Sequence, residues 1–491
     1  MVLLQTCLLL FVHTLAHGFS SPSCDEVEER VAETDQMTEI LFPPPVIGKW
    51  VSEKCEVKEG PQYILRSNIY SENETFLLVT HKYGDESCTK AMLTTSLRGR
   101  YSLRGRSWNT PGATQTDYIL ERVDVIAHNQ QTADEWTVHL NASCPGVVKK
   151  KWKPHKEHSI YILPQEMTTP IIPDKDSPVD ISLSDLVCLK TLDLSQPEVG
   201  LVRVQRRPPG PPDPRSHRIE LFLGETRQKG SSFSTPLLKA AQTTDCEVCV
   251  TVERSSAKNP PSLIAAPRLP PYMSGEWVST RCETWPMGLF LRRRLRVSGR
   301  TWHAEFRFFS DPKCTTATLV IAAEGRYVAA KLPPGGKQRV PGAVDFDFMV
   351  DRGFLTLHDK SLVTSLQKDK KCGPPGIWQL GIKRDLTPSK GCPPFGIVIP
   401  TTEYELVRLE VDQSGNTLLL LGHSDRNSMK SDGNEIKRRP TSFQPPLLQC
   451  NAPELPPLTH FLNSYNIGTR IRPLFIVLLT TTLLVMLILP T

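Results

Sequence analysis

Gly48-Lys49-Trp50-Val51-Ser52-Glu53-Lys54-Cys55 returns later in the chain as Gly275-Glu276-Trp277-Val278-Ser279-Thr280-Arg281-Cys282. Glycine, tryptophan, valine, serine and cysteine recur in place, and a basic residue precedes each cysteine. The two copies lie 227 residues apart. That offset is too long for a solenoid repeat and suits a duplicated domain.

The series stays collinear beyond the phrase. Leu65-Arg66 aligns with Leu291-Arg292, and Cys88-Thr89 with Cys314-Thr315. Gly99-Arg100-Tyr101 aligns with Gly325-Arg326-Tyr327, and Pro111-Gly112-Ala113 with Pro341-Gly342-Ala343. Cys144 and Cys188 answer to Cys372 and Cys392. Residues 201–204 answer to 406–409, and Ser232-Phe233 to Ser442-Phe443, each ahead of a Pro-Leu-Leu.

Within each copy, β-branched or alternating runs of four to ten residues are separated by Gly, Asn and Asp. They fall at 63–70, 75–80, 91–97, 118–127, 201–204 and 219–223, then at 289–297, 302–309, 318–323, 344–350, 404–411 and 417–421. This is an all-β pattern built from antiparallel hairpins rather than βαβ units. The expected fold is two homologous antiparallel domains, barrel-like or curved sheets, stapled by disulfides and preceded by a short helical segment.

The domain plan follows. Residues 1–18 read as a secretory signal, with an apolar run and the small-x-small site Ala16-His17-Gly18. Residues 19–45 hold a helix capped by Ser23 with Glu26 three residues on, its apolar stripe being Val27, Val31 and Met37. The first domain spans 46–259, a stiff proline linker 260–271, and the second domain 272–450. A stalk at 451–473 leads to an apolar stretch at 474–491, which reads as a minimal membrane span or as a lipid-anchor attachment signal. Arg470 and Arg472 before it, with no basic residue after it, tilt the reading toward the lipid anchor.

Of 13 cysteines, Cys7 leaves with the signal, and the even remainder in an exported chain points to disulfides. The duplication favours Cys55 with Cys88 and Cys282 with Cys314, at near-constant spacings of 33 and 32 residues. Cys144 with Cys188 and Cys372 with Cys392 follow by the same logic. Cys24, Cys246, Cys249 and Cys450 are left to pair among themselves, tying the N-terminal piece or the second domain back to the first. Cys246-Glu247-Val248-Cys249 reads as structural rather than redox-active, because Val250-Thr251-Val252 gives it no thioredoxin-like helix.

Asn73 and Asn141 head N-glycosylation sequons beside turn-like stretches. Lys149, Lys150, Lys151 and Lys153 surround Trp152, a candidate contact for heparan sulphate or lipid headgroups and otherwise a solvated loop. Arg206-Arg207 and the prolines after it stand where the second copy has a tight turn, so 206–214 is an insertion. The net charge of +6 is modest and mixed, so nucleic acid is not implied and no nucleic-acid partner is expected. No zinc-protease, phosphate-loop, nucleophile-elbow or calcium-loop motif occurs. A non-enzymatic protein with no metal and no cofactor is the expectation.

The repeated phrase, with Arg281-Cys282-Glu283, Gly376-Ile377-Trp378-Gln379 and Thr402-Glu403-Tyr404-Glu405, resembles the adenomatosis polyposis coli down-regulated 1 family. The resemblance covers about residues 46–450 and leans toward the family's like branch. It implies a membrane-anchored glycoprotein of the cell surface that antagonises Wnt signalling by engaging Wnt and its receptor complex. It carries over Trp50, Cys55, Trp277 and Cys282 as framework, along with Gly99, Tyr101, Gly325 and Tyr327. An acyl chain of Wnt is a candidate ligand for a barrel interior, with apolar residues of 404–411 and 417–421 lining the pocket. A lipid carrier and an adhesive surface protein are the rival readings.

Overall fold

Each copy of the phrase becomes the first stave of a closed barrel. The computed structural model describes residues 22–450 apart from 145–149, 164–188, 190–198, 213–216, 226–231, 234, 243–245, 286–287, 332–337, 369 and 424–438. The signal, the stalk, the apolar tail, Lys149 and Cys188 lie outside the described residues.

The first barrel comprises β1 (Gly48–Val51), β2 (Gln62–Tyr70), β3 (Thr75–Tyr83), β4 (Ala91–Arg106), β5 (Thr114–Ala127), β6 (Leu201–Arg207), β7 (Arg218–Glu225) and β8 (Leu237–Lys239). Every neighbour is antiparallel, β5 meets β6 through Thr114 and Val202, and β8 returns to β1. The second barrel repeats this with β9 (Gly275–Ser279), β10 (Leu289–Ser298), β11 (Thr301–Phe309), β12 (Ala317–Ala329), β13 (Val344–Leu357), β14 (Thr401–Val411), β15 (Thr417–His423) and β16 (Leu447–Cys450). It closes where β16 pairs with β9. Both are up-and-down barrels of eight strands. Closure removes the exposed sheet edges that would otherwise template aggregation.

Alternation points apolar side chains into the lumens. Trp50, Tyr70, Phe76, Leu78, Leu97 and Val123 pack inside the first barrel. Trp277, Leu295, Trp302, Phe346, Phe348 and Leu419 pack inside the second, where Phe306, Tyr327 and Leu421 stay half-buried. Trp50 and Trp277 are fully buried, and their Nε1 atoms donate to Val46 O (2.6 Å) and Met273 O (2.7 Å). Each such ring contributes about 3 kcal/mol of burial. The barrel register makes Arg293, not Arg292, the counterpart of Arg66, because Trp50 pairs with Asn68 and Trp277 with Leu295. The alignment of Leu65-Arg66 with Leu291-Arg292 is therefore one residue out.

Among the described residues, the α-helices that decorate the barrels include α1 (Cys24–Met37), α2 (Gln130–Ser143), α3 (Glu247–Glu253) and α4 (Lys360–Lys368). Ser23 and Glu26 form the expected capping box on α1. Val27 and Val31 are buried as expected, but Met37 is exposed; Thr34 and Asp35 are the residues buried near that end. The helix turns its polar residues inward because guanidinium groups wait there. α2 and α4 follow β5 and β13 and place Leu140 and Leu366 in the flanking cores.

The chain order is crossed. α1 precedes the first barrel yet packs on the outer face of the second, against Val278, Leu418 and Leu448. α3, by contrast, follows the first barrel and packs on it, against Val51 and Leu238. Cys24 is bonded to Cys450, and Cys246 to Cys249. These four cysteines do pair among themselves. However, one bond ties the N-terminal helix to the second barrel, and the other spans three residues within the first unit. The strand-like Val250-Thr251-Val252 is helical, since α3 has the first barrel's outer face to cover and β-branched residues pack there despite their propensity.

Candidate functional site

The phrase does three jobs in each barrel. Its glycine takes positive φ (123° and 122°), its tryptophan fills the lumen, and its serine begins a buried polar plug. Ser52 Oγ donates to Glu56 (2.6 Å), which accepts Arg66 Nε at 2.9 Å. Ser279 Oγ donates to Glu283 (2.7 Å), which accepts Arg293 Nε at 2.9 Å. Gly99 and Gly325 sit at β-bulges where the extra residues are Glu121 and Asp351. Arg100 and Arg326 pair with those extra acids, at 2.7 and 3.1 Å. Tyr101 is buried beside Tyr70, and Tyr327 Oη donates to Gly299 O. The whole Gly-Arg-Tyr motif is thus a bulge device.

Between described residues, three further disulfides are seen: Cys55–Cys88, Cys282–Cys314 and Cys372–Cys392. Cys144 is disulfide-bonded. Asn73 is exposed in a turn, where its Oδ1 accepts from Thr75 Oγ1. Asn141 is exposed as well, but on the last turn of α2 rather than in a loop. Lys150, Lys151 and Lys153 are exposed around buried Trp152, which stacks on His158 (4.3 Å). Lys151 pairs with Asp134.

The barrels meet along the outer faces of β6, β7, β14 and β15, around a cavity of about 890 Å³. The described residues through Cys450 belong to one compact unit. Asp35 of α1 is the hinge-pin of the contact. Its carboxylate accepts Arg207 Nη1 (2.7 Å) from the first barrel, and Arg292 Nη2 and Cys282 N (2.8 Å each) from the second. Arg281 reaches across to Glu220 with two bonds of 3.0 and 2.9 Å, and Gln205 supports Glu220 at 2.7 Å. Arg203 Nη1 donates to Thr284 Oγ1 at 3.0 Å. Burial works to raise the Glu220 carboxyl, but Arg281 and Arg207 hold it below the usual range. The 206–214 insertion is docked rather than free: Pro212 O accepts from Asn416 Nδ2 (2.8 Å), and Gly210 lies against Thr34.

The cavity has an apolar wall of Phe222, Leu238, Leu418 and Leu420 and a charged wall led by Arg203, Arg207 and Arg281. Strands 404–411 and 417–421 do line a cavity, but with their outward face. Val407, Leu409 and Leu419 point inward and pack with Trp277 and Phe348. The outward faces of these strands line the cleft between the barrels, while inside the second barrel Phe306, Tyr327 and Leu421 stay half-buried. Sequence patterning held one unread signal of this. Leu418 to Leu421 and Leu221-Phe222-Leu223 are unbroken apolar runs, as strands covered on both faces require. Among the described residues no group of three or more His, Cys, Asp or Glu could hold a metal ion.

A duplicated, disulfide-pinned double β-barrel is the class that this fold defines. The family model described as adenomatosis polyposis coli down-regulated 1 matches residues 23–264 and again 264–455, once for each barrel. The chain belongs to that family; the match is to the family as a whole and does not divide its branches.

Proposed function

We propose that the chain is a cell-surface antagonist of Wnt signalling that holds the acyl chain of Wnt in the cleft between its barrels. Family membership is consistent with a Wnt-related role. The observation that carries the acyl reading is the cleft itself. Its volume of about 890 Å³ falls within the roughly 300–1,000 Å³ of ligand sites, and its apolar wall draws on both barrels, Phe222 and Leu238 from the first and Leu418 and Leu420 from the second. Binding rather than catalysis is supported by the buried carboxylates Glu56, Glu220 and Glu283, each already engaged by a guanidinium. Disulfides favour an oxidising, extracellular setting.

The test is a binding series with acylated Wnt and the same Wnt lacking its acyl group. Binding that disappears with the acyl group is the expected result, and Leu420→Trp, which fills the cleft, weakens it at least tenfold. Equal binding of both Wnt forms would sink the acyl reading.

A further inference from the structure

A lysine-rich segment follows α2, and none of its residues lines the cleft. Lys150, Lys151, Lys153 and Lys156 are exposed there, while Trp152 among them is 3% exposed. The tryptophan anchors the segment. Its ring stacks on His158 at 4.3 Å and lies parallel to Trp136 of α2 at 6.5 Å. Its backbone N donates to Thr137 Oγ1 at 3.1 Å. Further on, His155 N donates to Ala127 O at 2.7 Å, where the segment runs into the strand Glu157–Ile162 beside β5. A backbone fixed at both points presents its ammonium groups without the ordering cost of a free loop.

The carboxylates around the segment are largely engaged. Asp134 pairs with Lys151 at 2.9 Å and Asp124 with Arg122 at 2.8 Å. Glu157 lies 3.8 Å from Lys258 and 3.9 Å from Arg122. Glu135, the other acid of α2, accepts from Gln131 Nε2 at 2.8 Å. Among the described residues, Lys150, Lys153 and Lys156 form no ion pair. We propose that this segment is a docking surface for a sulphated glycosaminoglycan, whose sulphate groups meet Lys150, Lys153 and Lys156. The apolar side chains decide between a sugar polyanion and a membrane. A segment that lies on a membrane adds to its basic residues aromatic or aliphatic ones that enter the acyl boundary. Here Trp152 is turned into the body and Pro154 is half-buried, so residues 150–156 offer charge with no apolar face. The contact holds the chain to a sulphated polysaccharide while leaving the cleft open to its own ligand.

The experiment is surface plasmon resonance of the full chain, held in nanodiscs of neutral lipid, over immobilised heparin, desulphated heparin and phosphatidylserine vesicles. Binding to heparin and to neither of the other surfaces is expected, with an affinity that falls steeply as salt rises. Lys150→Gln with Lys153→Gln and Lys156→Gln is expected to weaken heparin binding about tenfold or more and to lower the slope of log affinity against log salt by about 2. Lys360→Gln with Lys368→Gln and Lys390→Gln removes the same charge from exposed lysines that form no ion pair among the described residues. That control is expected to leave heparin binding within about twofold. Equal losses in the two triple variants, or no loss in the first, overturn the inference. So does binding to the vesicles in place of heparin, or no binding to heparin at all. None of these outcomes bears on the acyl site.

Discussion

Gly325 shows how narrowly single residues are set in this frame. A Cβ there would lie 1.8 Å from Met349 O, and at Gly99 a Cβ would lie 2.1 Å from Ile119 O. Gly325→Ala is predicted to destabilise the second barrel by about 1–3 kcal/mol. Gly105→Ala, with nothing within 4 Å of its Cβ, is predicted to cost almost nothing. Urea unfolding of the two variants separates these outcomes. A buried relay predicts a pH dependence. His81 Nδ1 lies 2.8 Å from Thr94 Oγ1, which lies 2.7 Å from His128 Nε2. Burial, then the facing His128, lowers His81 to about 3; burial, then His155, lowers His128 to about 4. Above about 6.5 both folded and unfolded chains keep these rings neutral. As pH falls below that, the unfolded chain takes up protons that the folded one refuses, so stability declines toward pH 4. His81→Gln is predicted to flatten that decline in urea midpoints measured from pH 7 to 4. An unchanged slope contradicts the relay's role.

The strands were legible because period-two patterning is local, and one wet face alternates with one dry face in β13. The bulge at Gly325 shifts that phase, which is why residues beyond 350 escaped the pattern. Helix α2 carried only a weak signal and α3 a misleading one, while α4 carried an amphipathic one in Leu362, Val363 and Leu366, too short to stand out between strands. Their stability comes from the barrel faces they cover, which no local window contains. Cys55–Cys88, Cys282–Cys314 and Cys372–Cys392 were readable from the duplication, whereas Cys24–Cys450 depends on a crossed packing seen in the fold alone. That bond joins residues 426 apart. Cys24→Ser with Cys450→Ser is predicted to cost about 2–4 kcal/mol and to raise hydrogen exchange across α1 and β9. Unaltered exchange in α1 would mean that Val27 and Val31 hold the helix without the staple.

At the scale of the molecule, the barrels act as one body because α1 drives a carboxylate between them. Asp35→Asn leaves Arg207 and Arg292 without that charge and is predicted to cost about 3–5 kcal/mol. Small-angle scattering should then broaden from a single compact form to a spread of inter-barrel distances. The cleft was the least legible part of the sequence. Arg203, Phe222, Arg281 and Leu420 meet through contacts between residues as far apart as the two repeats, and their spacing in the chain encodes nothing about it. The central claim is the place of the acyl chain, and photo-crosslinking tests it most directly. Wnt carrying a diazirine at the end of its acyl chain is bound, irradiated and mapped by peptide sequencing. Crosslinks on Phe222, Leu238, Leu418 or Leu420 are the predicted result. Crosslinks confined to lumen residues such as Tyr327, Phe346 or Phe348 would contradict it and move the site inside the second barrel.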